Sequence, residues 1–307
     1  MTDLKAVQRI DIKLGFSCNN RCRFCVQGDK RERFEGRPLD QVLTDLKKGY
    51  EGGACEVVLT GGEPTLQPTL LDAVREAKKL GYTNIQVQTN GRRFFYEEFC
   101  DELIEAGANE FAPAVHGSRA EIHDYLTRAP GSWAQVVGGI RNLKRRGMRV
   151  STNTVVTNAN YKDLPEIARL LVKLHVRVFQ FAFVHEVGEA GKNSEWLTPR
   201  YSKCISFIQE GLRIGRDAGI PCFTEAVPLC FMQGYENHVA ERVMPRTTIH
   251  DAEGTIADYT DYRLGEGKAK GPPCELCRRE PRCEGPWKEY PQQFGWDEFK
   301  PFLEGPC

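Results

Sequence analysis

The sequence predicts an α/β fold with a parallel sheet, followed by a cysteine-rich extension. Three observations carry this. Six β-type runs alternate with longer helical patterns over the first two-thirds of the chain, glycines stand just past several helical runs, and the last third exchanges apolar runs for prolines and cysteines. The 307 residues suit one large domain or two ordinary ones. The change of pattern near Gly219 divides them into 1–218 and 219–307.

The expected strands are Ile10–Leu14, Glu56–Thr60, Ile85–Thr89, Glu110–Val115, Val150–Val156 and Val176–Val184. Each is rich in Val, Ile, Phe or Thr and ends near Gly or a polar turn residue. The helical patterns between them are Leu39–Tyr50 after Pro38, Thr69–Leu80 before Gly81, and Tyr96–Ala106 before Gly107. Trp133–Arg146 before Gly147, Leu164–Leu174 with Pro165 in its first turn, and Pro199–Asp217 follow. A glycine just past the last periodic residue supplies a left-handed helix cap. Ordered β-then-α units imply a parallel sheet with right-handed crossovers. An open doubly wound sheet and a partial (β/α)6 TIM-type barrel both satisfy the pattern. Either one places ligands at the carboxyl ends of the strands.

Composition narrows the function. With 40% hydrophobic and 27% charged residues the chain is an ordinary globular protein. No run approaches ~18 apolar residues, so no membrane span is expected. Forty-two basic residues balance 42 acidic ones, which argues against a nucleic-acid binder held by a broad basic field. The first residues lack an apolar h-region, so a cytoplasmic, reducing location is expected. There the 12 cysteines bind metal or pack rather than form disulfides.

Cys18, Cys22 and Cys25 fall within one polar loop directly after the first strand. Structural zinc sites want four ligands, usually in separated pairs. Iron–sulfur clusters take closely spaced thiolates, normally four. Three thiolates leave one iron of a four-iron cluster open to a ligand. The spacing C-x3-C-x2-C, with Phe24 before the last cysteine, resembles the radical S-adenosylmethionine (SAM) superfamily. Thr60-Gly61-Gly62-Glu63-Pro64 after the second strand resembles that family's Gly-Gly-Glu motif, and Thr89-Asn90-Gly91 follows the third strand. The likeness covers residues 8 to about 190.

This resemblance selects the partial barrel. It implies that Cys18, Cys22 and Cys25 hold a [4Fe–4S] cluster whose open iron takes the amino and carboxylate groups of SAM. It places Gly61, Gly62, Glu63 and Pro64 at the methionine end, and the backbone of Phe24 near the adenine. Thr89, Asn90 and Asn153 become further cofactor contacts. Many relatives carry a Ser on the fourth strand, followed two positions later by Asp or His; here the stretch reads Ala114-Val115-His116-Gly117. Ala114 cannot supply the hydroxyl, and His116 is the one candidate for a catalytic side chain. His123-Asp124 reads as a helix-start pairing near Asp124. In the family, an electron from the cluster cleaves SAM to a 5′-deoxyadenosyl radical, which abstracts a hydrogen atom from substrate. A low-potential donor such as flavodoxin or ferredoxin is implied.

Cys274, Cys277 and Cys283 read C-x2-C-x5-C. The first pair is also zinc spacing. The pattern resembles the auxiliary-cluster extensions called SPASM and twitch domains. The full SPASM pattern continues with a cysteine where this chain has Trp287, so the shorter, twitch-like form with one auxiliary [4Fe–4S] cluster is expected. Cys230 is the expected fourth ligand and Cys222 the second choice. A fully ligated auxiliary cluster moves electrons, for instance by accepting one from a substrate radical. Cys55, Cys100 and Cys204 are expected to be small buried hydrophobes, and Cys307 a flexible terminal thiol.

The substrate is a peptide or a small molecule. The first strand begins near residue 8, so no N-terminal leader-binding domain is expected, which weakens the peptide reading. Two other classes remain. One is a non-catalytic iron–sulfur carrier, for which a Gly-Gly-Glu motif has no use. The other is an RNA-modifying radical SAM enzyme that uses the basic stretches Arg21–Arg23, Lys30–Arg33 and Lys144–Arg149.

Overall fold

A computed structural model of the chain describes residues 8–303, so Cys307 lies outside the described residues. Strands β1 (Gln8–Lys13), β2 (Ala54–Thr60), β3 (Asn84–Thr89), β4 (Glu110–Pro113), β5 (Arg149–Val156) and β6 (Val178–Phe183) pair in chain order. Every one of these pairings is parallel. The six strands expected from sequence are all present, with ends that shift by up to two residues.

Helices cover one face of this sheet. Leu70–Leu80 buries Leu70, Ala73, Val74 and Ala77, and Leu164–Lys173 buries Leu164, Ile167, Ala168 and Leu171. Both sets have the i, i+3, i+4, i+7 spacing of an apolar stripe. Gly81 caps the first of these helices at φ 102°, a conformation that residues with a Cβ rarely adopt. On β5 and β6 burial alternates strictly: Phe179, Phe181 and Phe183 are buried, whereas Val178, Gln180 and Ala182 keep access to solvent. A doubly wound sheet would be sealed on both faces. Here one face is sealed by helices and the other stays open. Strand order follows the chain from β1 to β6 without a reversal, and the two edges of the sheet do not pair. The architecture is a partial, unclosed TIM-type barrel.

The sequence reading missed three strands. β7 (Cys222–Glu225) joins β6 in parallel, β8 (Arg246–Asp251) joins the far side of β1 in parallel, and β9 (Gly254–Ile256) folds back antiparallel on β8. The full order is β7-β6-β5-β4-β3-β2-β1-β8-β9. β7 and β9 are short, and β8 reads Arg-Thr-Thr-Ile-His-Asp, with one aliphatic residue. Pairing with a strong neighbour, not intrinsic propensity, makes them strands. A further helix, Ala120–Thr127, was also missed, so His123 and Asp124 lie inside a helix rather than at its start. Asp124 instead caps the next helix, Ser132–Arg145: its carboxylate accepts from Gly131 N at 2.7 Å and Trp133 N at 2.8 Å. Cys100 and Cys204 are buried as expected, whereas Cys55 is partly accessible.

Candidate functional site

Cys18, Cys22 and Cys25 lie on the loop that leaves β1 at its carboxyl end, each partly accessible. Neighbouring elements fix the loop. Arg21 N and Arg23 N donate to Thr127 O and Leu126 O, both at 2.9 Å, at the end of the helix Ala120–Thr127. On the opposite side Glu189 N donates to Cys25 O at 2.8 Å. Gly188 makes this approach possible: a Cβ there would stand 2.7 Å from Cys25 O. The thiols already meet donors. Asn20 N lies 3.4 Å from Cys18 Sγ, and Arg31 Nη2 lies 3.9 Å from Cys25 Sγ. Such donors stabilise thiolates and tune a cluster bound to them. Burial pushes the free Cys18 and Cys22 thiols up, so binding iron there releases protons.

The loop after β2 is bonded directly to the cysteine loop. Gly62 N donates to Gly15 O at 2.8 Å and Glu63 N to Ser17 O at 2.9 Å. A Cβ on Gly61 would lie 2.2 Å from Gly15 O, and one on Gly62 would lie 2.3 Å from Phe16 O. Both glycines are therefore demanded by the chain's own backbone. Gly62→Ala is expected to cost about 2–3 kcal/mol in unfolding free energy, read by anaerobic urea denaturation.

Glu63 is fully buried. Its Oε1 accepts from Thr65 N at 3.0 Å, Thr65 Oγ1 at 2.6 Å and Thr89 Oγ1 at 2.7 Å, and Oε2 accepts from Asn90 N at 2.7 Å. Burial pushes its carboxyl up while these donors pull it down. The side chain thus ties the loop after β2 to the loop after β3. Pro64 starts the short 3-10 turn behind it. Thr89 Oγ1 also accepts from Gly91 N at 2.9 Å, so its hydroxyl is used within the chain. Asn90 Nδ2 donates to Asn19 Oδ1 at 2.6 Å, which returns the network to the cysteine loop.

Phe24 is buried, with its ring 4.5 Å from that of His116. His116 is itself buried: Nδ1 accepts from Val155 N at 3.2 Å, and its main-chain N donates to His123 Nδ1 at 3.1 Å. Burial lowers its pKa well below the usual imidazole value, so the ring is neutral. His116 braces the sheet against the cysteine loop. Asn153 on β5 bridges to Ala114, and its Oδ1 is buried without a partner. An unfilled acceptor on the open face fits a donor-bearing ligand such as SAM, which carries an amino group, hydroxyls and an adenine amine.

Cys230, Cys274, Cys277 and Cys283 line one recess together with Pro228, Pro286 and Phe299. Burial first, then Cys283, Cys274 and Cys277, pushes the Cys230 thiol up to about 12. Cys222 does not join them. It is buried on β7 against the helix Tyr201–Asp217, with its Sγ 3.2 Å from Leu212 O.

Asn20, Arg92 and Arg31 were missed at this site. Arg92 Nη1 donates to Asn19 O at 2.6 Å and Asn20 Oδ1 at 3.1 Å, and its Nε reaches Gln135 Oε1 at 2.6 Å. Asn20 stands within the cysteine loop and Arg31 within the basic stretch Lys30–Arg33, but nothing in the sequence ties Arg92 to the cysteines.

Comparison with known proteins agrees with this fold. SuiB of Streptococcus suis bound to S-adenosylmethionine superposes with a TM-score of 0.67 at 14% identity, covering 97% of this chain and 77% of that one. anSMEcpe with bound AdoMet and Kp18Cys peptide gives 0.58 at 17% identity, over 70% and 63% of the two chains. At such identities the likeness concerns the fold. A probable GTP 3',8-cyclase of Metallosphaera sedula is 27% identical over 186 residues, 60% of this chain and 58% of that protein. An AdoMet-dependent heme synthase of Oleidesulfovibrio alaskensis is 27% identical over 177 residues, 57% of this chain and 45% of that protein. The chain thus spans less than two-thirds of the length of either relative. The description of the Radical SAM superfamily matches residues 12–171, which include all three cysteines of the first loop, the Gly61-Gly62-Glu63 loop, Thr89, Asn90 and Asn153. With more than half of its length matched, the chain belongs to the radical SAM superfamily.

Proposed function

We propose that the protein is a radical SAM enzyme that abstracts a hydrogen atom from a peptide or a small molecule. The observation that carries this reading is the common mouth. Backbone bonds join the cysteine loop to Gly62 and Glu63, and Glu63 joins that loop to Thr89 and Asn90. Cys18, Cys22 and Cys25 hold the cluster there, and Gly61, Gly62, Asn90 and Asn153 face SAM, with the buried Glu63 and Pro64 behind them. When bound, the pair supplies a 5′-deoxyadenosyl radical by one-electron cleavage of the sulfonium. Phe24, His116 and Thr89 keep the loops in place. A flavodoxin or ferredoxin supplies the electron in the cytoplasm. Among the described residues no helix is long and apolar enough to cross a membrane.

Residues 219–307 carry the auxiliary site, with Cys230, Cys274, Cys277 and Cys283 as its ligands. Four soft thiols around an apolar recess suit a fully ligated [4Fe–4S] cluster, whose chemistry is electron transfer. Among the described residues no three His, Cys, Asp or Glu side chains converge on one metal-ion position.

The RNA reading finds less support, because its cations are engaged. Arg21 Nη1 bonds Cys18 O at 2.6 Å, Lys30 pairs with Asp251 at 2.9 Å and Arg146 pairs with Asp101 at 2.6 Å. Solved relatives named for bound peptides and curated relatives named for small-molecule chemistry keep both substrate classes open. The test is to reduce the anaerobic protein with SAM present and follow 5′-deoxyadenosine and methionine. Formation of both is expected. A protein that holds iron and never cleaves SAM is a carrier, and the reading fails.

A further inference from the structure

Beyond Asn153, the open face of the barrel carries a row of side chains that the functions above do not use. Asn153 is the register partner of Gln180 on β6, and Gln180 Nε2 donates to Glu225 Oε2 at 2.7 Å across to β7. The next residue, Ala226, donates its N to Glu241 Oε1 at 2.7 Å. Glu241 in turn pairs with Lys268 at 3.2 Å, and both side chains are almost completely buried. Lys268 Nζ lies 4.0 Å from the ring centre of Trp287, and His185 stacks on that ring at 3.9 Å. Gly285 and Pro286, just before Trp287, line the recess of the second cysteine group. The row therefore runs from the SAM side of the barrel to the auxiliary site.

Its cations are already paired. Arg263 holds Glu284 through two bonds, at 2.8 and 2.7 Å, and Lys268 holds Glu241. Glu225 is left over. It feels the charges of Glu241, Lys268, Arg263 and Glu284, yet no cationic nitrogen among the described residues comes within 4.0 Å of it. Among the described residues its one side-chain donor is the neutral amide of Gln180. A further acceptor in the row, Glu241 Oε2, is buried without any partner among the described residues. Buried carboxylates are normally paired or fully hydrogen-bonded, because desolvating an unpaired charge is costly. Glu225 thus has no cation beside it to hold it ionised: burial, with Glu241 nearby, pushes its carboxyl above the usual range, and the row is short of donors.

We propose that this face binds a cationic, donor-rich group of the substrate, a primary ammonium or a guanidinium, with Glu225 as the countercharge and Glu241 Oε2 as a second acceptor. The position rests on the function proposed above, since a substrate has to lie between SAM and the auxiliary site. A cation there holds Glu225 ionised and fills the vacant acceptor on Glu241. Gln180 orients the Glu225 carboxylate, and Lys268 and Trp287 form the far wall.

The test uses the full chain with iron restored and SAM bound but not reduced. n-Butylguanidinium and n-pentylammonium are titrated against pentan-1-ol, a neutral probe of similar length, by saturation-transfer NMR. The cations are expected to bind about tenfold more tightly than the alcohol, as for one charge-assisted contact. Glu225→Gln is expected to bring cation and alcohol within about twofold of each other. Should Glu225→Gln fail to fold, Glu225→Asp keeps the charge on a shorter arm, and the cation preference is expected to shrink without vanishing. Equal binding of cation and alcohol by the wild-type protein overturns the proposal. So does a cation preference that survives Glu225→Gln, or one that Glu225→Asp leaves undiminished. Iron content and SAM binding, measured on the same samples, report separately on the cofactor assignment, so either can fail without the other.

Discussion

Cys230→Ala is expected to lower the iron retained after anaerobic reconstitution by about four atoms per chain, whereas Cys222→Ala leaves it unchanged. Sequence alone offered either residue as the fourth auxiliary ligand. The two positions differ completely in the folded chain. Cys230 lines the recess with Cys274, Cys277 and Cys283. Cys222 is 2% exposed, and its sulfur sits 2.8 Å from the point where a Cβ on Gly215 would stand. Its replacement removes packing, at a cost of about 1 kcal/mol in stability. Iron analysis and a urea melt on both variants separate the two effects: one variant loses metal, the other loses only stability.

Glu63→Gln is expected to weaken SAM binding at least about tenfold and to lower stability by about 3 kcal/mol. Four donors converge on the carboxylate: Thr65 N, Thr65 Oγ1, Thr89 Oγ1 and Asn90 N. An amide of the same shape has one oxygen and turns its NH2 toward at least one of those donors. The loops after β2 and β3 then lose their shared clamp, and the cysteine loop loses the support it receives through Asn90 and Asn19. Equilibrium dialysis with SAM and anaerobic urea denaturation check the two parts. Unchanged SAM affinity in a folded Glu63→Gln protein would mean that the clamp is dispensable for the cofactor.

The order of the parallel sheet was legible because its signals are local. Helical stripes such as Leu70, Ala73, Val74 and Ala77 and the capping Gly81 need no tertiary partner to be recognised. The choice between barrel and doubly wound sheet was not local, since it depends on which face of β5 and β6 the helices cover. β8 was invisible for a related reason: a polar six-residue run becomes a strand only because β1 offers it an edge. At the site, residue types and spacing marked the three cysteines and the Gly-Gly-Glu loop. The reason for the two glycines was hidden. It lies in the backbone of Gly15–Ser17, which passes too close for any Cβ. The arginines were legible only as charge, and their partners Cys18 O, Asn19 O and Asn20 Oδ1 emerged from the fold. His116 stood out by residue type, yet its ring nitrogen serves Val155 N.

The central claim is that the chain builds two separate cluster sites, one on each cysteine group. It is tested most directly by counting iron per chain in anaerobically reconstituted protein, beside a variant in which Cys18, Cys22 and Cys25 are all Ala. About eight irons falling to about four is the expected result, with the remaining four held by Cys230, Cys274, Cys277 and Cys283. About four irons falling to nearly none would contradict it, because the second group would then hold no cluster.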